Sequence, residues 1–378
     1  FVVSSLENPD LKNVGKNLIP SFISSTTRSW NPGDEFILYG VRNLIESLIP
    51  RFNNFIYDRN PDYHYLRDPR LTKKFRSENA DAPFVDFGDI AKQIPSFRNS
   101  LGIKDSLSNI DLAIFAGSPE WIGFAVDVFS EYILENKIPS IHLGLGYFRG
   151  YDKVKFSNLL ERDQKVIRES LLITTRDPLA KSFFLSDREV HVLPCPALFS
   201  SKTEEKRTQK KKIALSTQGS GKMQGVSKNI FNYSVELFKE LINLFDCEII
   251  CHYKEDYNFL SPLFGSLVNV QYSYDSKDYF DIYKDFDLTV TTRVHGAGIC
   301  ASMGIPGVCL SHTERIETVK GFLSEIINPK EMSVKEAVKL IQDLDVPKRS
   351  EEIINLKSQM LQKYQGFLKP VFQDLGFC

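Results

Sequence analysis

One stretch of this 378-residue chain limits the fold more than any other: residues 287–311, DLTVTTRVHGAGICASMGIPGVCLS. The β-branched and apolar run 288–292 has the composition of a buried strand. Small residues at 296–303 predict a helix lying close on a sheet, stopped by Gly304 and Pro306, with a further strand after it. Arg293 and His295 therefore fall where a strand's carboxyl end meets a helix amino terminus. In open α/β sheets ligands bind at such edges, and free N–H groups together with the helix dipole favour anions there.

The rest of the chain alternates in the same way. A strand at 22–27 leads through Asn31-Pro32-Gly33-Asp34-Glu35 into a helix with an apolar stripe at Phe36, Ile37, Leu44, Ile45 and Leu48. Asp34 and Glu35 suit a helix dipole; on the functional reading Asn31, Gly33 and Asp34 line a cleft floor. Residues 58–100 are a polar, loop-rich insertion; Tyr57 at its edge and Arg59, Tyr63, His64, Tyr65 and Arg67 within it serve either to grip a sugar or simply to pack a loop. Next come a strand at 111–116 with a turn through Gly117 and Glu120, a helix at 122–134, and a strand at 139–143 leaving through Gly144 and Gly146. Glu120, at an apparent helix start, fits a dipole role or a catalytic one.

A helix at 158–170 precedes a strand ending in Arg176-Asp177, and Pro178 opens the helix that Asp177 caps. The strand at 190–193 closes the first unit. Residues 199–212 have the composition of an exposed linker. The second unit runs from a strand at 213–217 and a Gly-rich turn at 218–222, which lacks the Walker spacing, through a helix at 232–244, strands at 248–252 and 268–272 and a helix at 276–285 to the opening motif. His312, Arg315 and Glu317 form a polar cluster after the next strand, and helices at 333–344 and 350–373 end the chain. The expected organisation is an N-terminal Rossmann-like domain at 1–198, a linker at 199–212, a second such domain at 213–330, and helices at 331–378 packing back on the body.

Composition serves mainly to exclude. A formal net charge of -1 argues against a general nucleic-acid binder. Six scattered cysteines with no Cys-x-x-Cys pair predict reduced buried thiols and no metal site. No apolar run approaches the roughly 20 residues needed to cross a bilayer, and Phe1-Val2-Val3 lacks the basic start of a secretory signal. A cytoplasmic location is the expectation.

Arg293-Val294-His295 between a hydrophobic strand and a small-residue helix ending in Gly304-Ile305-Pro306 resembles the signature of the polysaccharide pyruvyl transferases, which run Arg-Leu-His and then Gly-x-Pro. Asn31-Pro-Gly-Asp-Glu35, Asp111 to Gly117, Gly144-Leu-Gly146 and the segment ending Arg176-Asp177 follow in the family's order. Two positions depart from it: Cys195 stands where an Asp before Pro-Ala is usual, and Ser118 where a further Gly is usual.

The resemblance implies a glycosyltransferase-B-like fold, α/β with two Rossmann-like domains facing across a cleft. It implies phosphoenolpyruvate as donor substrate, a saccharide acceptor, and no other cofactor. The product is a cyclic ketal, formed with release of phosphate. A donor with a phosphate and a carboxylate calls for arginine forks; Arg293 ranks first, Arg176 second and Arg315 third, with Gly296 beside them. His295, protonated toward the phosphate or exchanging a proton with the reacting group, is the first catalytic candidate. Asp177, Glu120 and Glu317 compete for the complementary proton transfer. Asn31, Gly33, Asp34, Gly117, Glu120, Gly144, Gly146 and His312 are expected to bind substrate, with the N-terminal domain on the acceptor side and the C-terminal domain on the donor side. Removal of Arg293 is expected to abolish donor binding with little change in stability. The alternatives are a nucleotide-sugar glycosyltransferase on the same fold and a non-catalytic relative acting as a binding subunit.

Overall fold

A computed structural model describes residues 19–27, 31–59, 110–123, 125–147, 155–184, 188–219 and 226–378. Within them lie two six-stranded sheets in which every strand pairing is parallel. The first orders its strands β2 (Asn53–Asp58), β1 (Ser21–Thr26), β3 (Leu112–Ser118), β4 (Ser140–Leu145), β5 (Leu172–Thr175) and β6 (His191–Val192). The second runs β12 (Glu325–Ile327), β11 (Gly307–Leu310), β10 (Leu288–Thr291), β7 (Lys212–Ser216), β8 (Asp246–Cys251) and β9 (Val270–Tyr272). The winding direction reverses between β1 and β3 and again between β7 and β10. At each reversal the loops leave toward opposite faces and open a crevice at the carboxyl edge.

Parallel strands must be covered on both faces, which is why they read as continuous apolar runs. β3, β4 and β10 are buried at every residue. The first sheet is covered by α1 (Pro32–Glu46), α2 (Asp127–Glu135), α3 (Glu161–Glu169) and α4 (Pro178–Ser182). The second is covered by α5 (Lys228–Leu244), α6 (Lys254–Phe264), α7 (Asp278–Tyr283), α8 (Val294–Ser302) and α9 (Val334–Asp343). Local chemistry sets several of the starts: the Asp177 carboxylate accepts from Ala180 N at 2.7 Å ahead of Pro178, and Ser333 and Glu336 form a capping box.

Beside a smaller hydrophobic cluster in each half, one larger core spans both. It takes Phe36 and Ile37 from α1, Leu143 from β4, Tyr279 and Tyr283 from α7, Ile299 from α8, and Tyr364 and Phe372 from the last helix, α10 (Val346–Asp374). Close approach at Gly40 joins α1 to the 3₁₀ turn Pro196–Phe199, since a Cβ on Gly40 would lie 1.7 Å from the Pro196 carbonyl oxygen. α10 runs back across both halves: Ser350 donates to the Gly304 carbonyl at 2.6 Å, Tyr364 to the Pro194 carbonyl at 2.8 Å, and Phe372 stacks on Phe22.

Several expectations change. The helix expected at 122–134 starts only at Asp127, because Gly123 takes a left-handed turn (φ 77°) and its amide is drawn to Asp163. The one expected at 158–170 is a 3₁₀ turn, Phe156–Asn158, followed by α3. α6 was not foreseen, its periodicity hidden by a polar first turn and Pro262. β2 and β12 were also missed, and α10 begins four residues earlier than read. In the linker, Ser200, Ser201 and Arg207 are buried, the last donating to the Lys284 carbonyl. Tyr57 is no free sugar platform: it stacks on Phe129 at 4.9 Å. Tyr63, His64, Tyr65 and Arg67 lie outside the described residues. The six cysteines are free thiols, five of them buried and Cys378 exposed. No described helix is long and apolar enough to cross a membrane.

Candidate active site

A cavity of about 380 Å³ opens between the carboxyl edges of the two sheets. Residues that follow β1, β3, β4 and β5 line one wall, and residues that follow β7, β8, β10 and β11 line the other. The opening motif supplies its centre. The turn after β10 is tied by hydroxyls: Thr291 Oγ1 accepts from Arg293 N at 2.8 Å, and Thr292 Oγ1 from Gln218 N at 3.1 Å.

Arg293 is buried at the start of α8. Its Nη2 is ion-paired with Asp256, also buried, and its guanidinium lies 4.0 Å from the centre of the Tyr253 ring. Asp256 further accepts from Gly219 N at 3.1 Å and Tyr253 N at 3.2 Å. Burial pushes the Asp256 carboxyl up, and Arg293 with those donors works against it. A carboxylate thus already offsets the charge of the arginine that the sequence ranks first for an anion.

Arg176, beyond β5, stands differently. It is 4% exposed, and among the described residues no carboxylate pairs with it. Its Nη1 donates to His295 Nε2 at 3.1 Å and faces Cys195 Sγ at 3.8 Å, while its Nε is buried without a partner among the described residues. Arg315, on the 3₁₀ segment Glu314–Phe322, lines the same cavity and has no ion pair among the described residues. Although Arg315 is itself exposed, desolvation by the protein around it and then the Arg176 charge push its pKa down. Two guanidiniums thus line one space, neither ion-paired to a carboxylate among the described residues, a disposition that favours an anionic guest.

Burial, then Arg176 and Arg315, hold His295 well below the ordinary histidine value. That holds the ring neutral near pH 7 in the ligand-free protein. Because a guanidinium only donates, Nε2 is the acceptor and the ring proton belongs on Nδ1. Gly33 lets α1 approach that nitrogen, since a Cβ there would lie 2.3 Å from Nδ1. His252 shares Nε2 with the Tyr283 hydroxyl at 2.8 Å, and His312 Nε2 donates to the Thr292 carbonyl at 3.1 Å.

On the facing wall, Asn31 Oδ1 accepts from the Tyr253 hydroxyl at 3.0 Å, joining the halves. Asp34 is paired at 2.8 Å with Arg59, which is buried here rather than free in the insertion. Glu120 lines the mouth of the cavity, its side chain 47% exposed; it sits in a turn, not at a helix start. Ser118 beside it has φ 147°, a conformation L residues rarely adopt, and its Oγ accepts from Glu120 N at 2.9 Å. Such strain costs about 1–3 kcal/mol. Ser118→Gly is therefore expected to be more stable than Ser118→Ala, which loses the same hydroxyl but keeps the strain. Urea unfolding midpoints of the two variants check this.

Other candidates serve elsewhere. Asp177 has both carboxylate oxygens on backbone amides, Ala180 N at 2.7 Å and Tyr147 N at 3.2 Å, and does not line the cavity, so capping accounts for it. Glu317 pairs with Lys320 at 2.7 Å outside the cavity. Gly117 and Gly144 take positive φ and pack against Ile37 and Pro196; Gly146 makes room for Arg176, where a Cβ would come within 2.5 Å of the guanidinium; and Gly296 packs near His252 and Thr291. None of these four glycines lines the cavity. Among the described residues there is no cluster of three metal-ligating side chains.

Three buried histidines tie stability to pH. Burial is the first cause in each case: His142, stacked on Phe115 at 4.0 Å, is lowered to about 3, and His252 and His295 fall well below 6.5. The unfolded chain takes up protons at these positions near 6.5, whereas the folded chain resists until lower pH. Stability is thus full above about pH 7 and falls as pH drops through 6.5, by at most about 1.4 kcal/mol per pH unit for each histidine. Urea midpoints at pH 7.5 and 5.5 should show the loss before most carboxylates titrate.

A model of the family described as polysaccharide pyruvyl transferase matches residues 31–314. No curated protein matches the chain. Solved structures with a similar fold include S. aureus MnaA with UDP, 15% identical, TM-score 0.53, covering 88% of this chain and 90% of that one. Another is the Methanocaldococcus jannaschii UDP-GlcNAc 2-epimerase with UDP-GlcNAc and UDP, 15% identical, TM-score 0.52, covering 90% and 100%. At such identities the likeness concerns the fold, which is the glycosyltransferase-B-like pair of Rossmann-like units facing across a cleft.

Proposed function

We propose, because this chain belongs to the polysaccharide pyruvyl transferase family, that its cavity holds phosphoenolpyruvate against a saccharide and joins the donor's central carbon to two hydroxyls of one sugar. The product is a cyclic ketal, and phosphate leaves. The observation that carries this reading is the pair of cavity-facing guanidiniums, Arg176 and Arg315, without carboxylate partners among the described residues. A donor with a phosphate and a carboxylate a few ångströms apart supplies the two anionic groups that such a pair accepts, each through a planar fork.

Charge that develops on the leaving phosphate falls beside Arg176 and Arg315, where a site of low dielectric makes fixed cations effective. Neutral His295 offers a proton on Nδ1 and, once Arg176 turns to a ligand, a lone pair on Nε2. Phosphate release from phosphoenolpyruvate in the presence of a panel of methyl glycosides, with mass spectrometry of the products, tests the reading. A pyruvylated glycoside formed together with phosphate supports it. Stabilisation by UDP-sugars with no response to phosphoenolpyruvate would replace it with sugar transfer.

A further inference from the structure

We propose that Asp34 is the carboxylate that moves the acceptor's protons, a role that rests on the pyruvyl-transfer reading above. Asp34 sits in the first turn of α1, is 5% exposed, and lines the cavity. Its Oδ2 is held by Arg59 Nη2 at 2.8 Å, and Oδ1 has no hydrogen-bond partner among the described residues. Arg59 is itself 2% exposed and braced, with Nη1 donating to the carbonyls of Gly117 at 3.3 Å and Glu120 at 3.4 Å. The residue before Asp34, Gly33, packs directly on His295 Nδ1, so the carboxylate and the imidazole occupy the same end of the cavity.

The competing acids are otherwise engaged. Asp177 caps α4, Glu317 pairs with Lys320, and Asp256 is bound to Arg293. Glu120 remains at the solvent-exposed mouth, 3.9 Å from Arg59 Nε. Asp34 thus lines the cavity with one oxygen fixed by Arg59 and the other without a hydrogen-bond partner among the described residues, which leaves it placed to meet a bound hydroxyl.

In the first half of the reaction one acceptor hydroxyl gives its proton to Asp34 while its oxygen bonds to the donor's central carbon. The double-bond pair moves to the methylene carbon, which takes that proton from the Asp34 carboxyl and becomes a methyl group. In the second half the other hydroxyl gives its proton to Asp34 and its oxygen bonds to the same carbon. The carbon–oxygen bond to phosphate breaks, and phosphate departs with the bonding pair and receives the proton. Each half begins and ends with Asp34 ionised, and Arg59 acts as its positioning residue.

The test compares wild type and Asp34→Asn in phosphate release from phosphoenolpyruvate with a methyl glycoside that the wild type accepts, alongside calorimetry of phosphoenolpyruvate. The expected result is a kcat lower by about 10²–10⁴-fold and donor affinity within about threefold of wild type. Asp34→Glu, which keeps the charge beside Arg59, guards against a folding defect and should still lose about tenfold or more in kcat through its displaced carboxylate. A kcat near wild type in either variant overturns the role of Asp34 and leaves the pyruvyl-transfer reading standing. Absence of phosphate release by the wild type across the whole panel overturns that reading, and this proposal with it.

Discussion

Arg293→Ala should unfold about 3–5 kcal/mol more easily than the parent chain, because it strands the buried Asp256 carboxylate without its cation. The arginine also covers the face of Tyr253, whose hydroxyl reaches Asn31 across the cleft, so part of the junction between the halves loosens with it. Thermal and urea unfolding measure the effect directly. This reverses the sequence-based expectation that the variant would leave stability nearly unchanged. A drop below about 1 kcal/mol would mean that Asp256 finds another donor or takes up a proton, as its raised pKa permits. Any loss of donor binding in this variant must be separated from loss of fold.

Arg176→Met should do the opposite. Its guanidinium leaves no carboxylate behind, and its Nε is already without a partner among the described residues, so stability is expected to stay within about 1 kcal/mol of the parent or to rise. Affinity for phosphoenolpyruvate and for inorganic phosphate should fall by about 10–100-fold, the worth of one charge-assisted contact of about 1.5–3 kcal/mol. The His295 pKa should climb, because Arg176 is the largest charge holding it down. Calorimetry with both ligands and an NMR titration of the imidazole give the readouts. Unchanged anion affinity would remove Arg176 from the site. Together the two variants divide the arginines by what faces them: one serves the fold, the other is available to a guest.

That division was not legible in the chain. Arg293 and His295 could be placed at a strand-to-helix turn because residues 288–302 carry unambiguous strand and helix signals, and the alternation around them announces a parallel sheet. The partner of Arg293 could not be placed. Asp256 lies 37 positions away in α6, where Pro262 and a polar first turn obscure the periodicity. Arg59 has the same difficulty: it follows β2, an edge strand only partly buried and thus weakly patterned, and the chain around it reads as solvated loop. Asp177 carries two readings in the sequence, cap and proton-transfer candidate, since a capping carboxylate and a catalytic one look alike until their oxygens are counted. Local periodicity encodes elements and their edges; which charges cancel depends on contacts across the fold.

The common apolar body beneath both sheets has a further meaning for how the molecule comes apart. Side chains of α1, α7, α8 and α10 interlock in it, tying together two halves that each keep a smaller apolar cluster of their own. Loosening one wall strips packing from the other, and denaturation should proceed as one concerted event rather than as two successive meltings. Half of this protein would therefore make a poor reagent for either substrate.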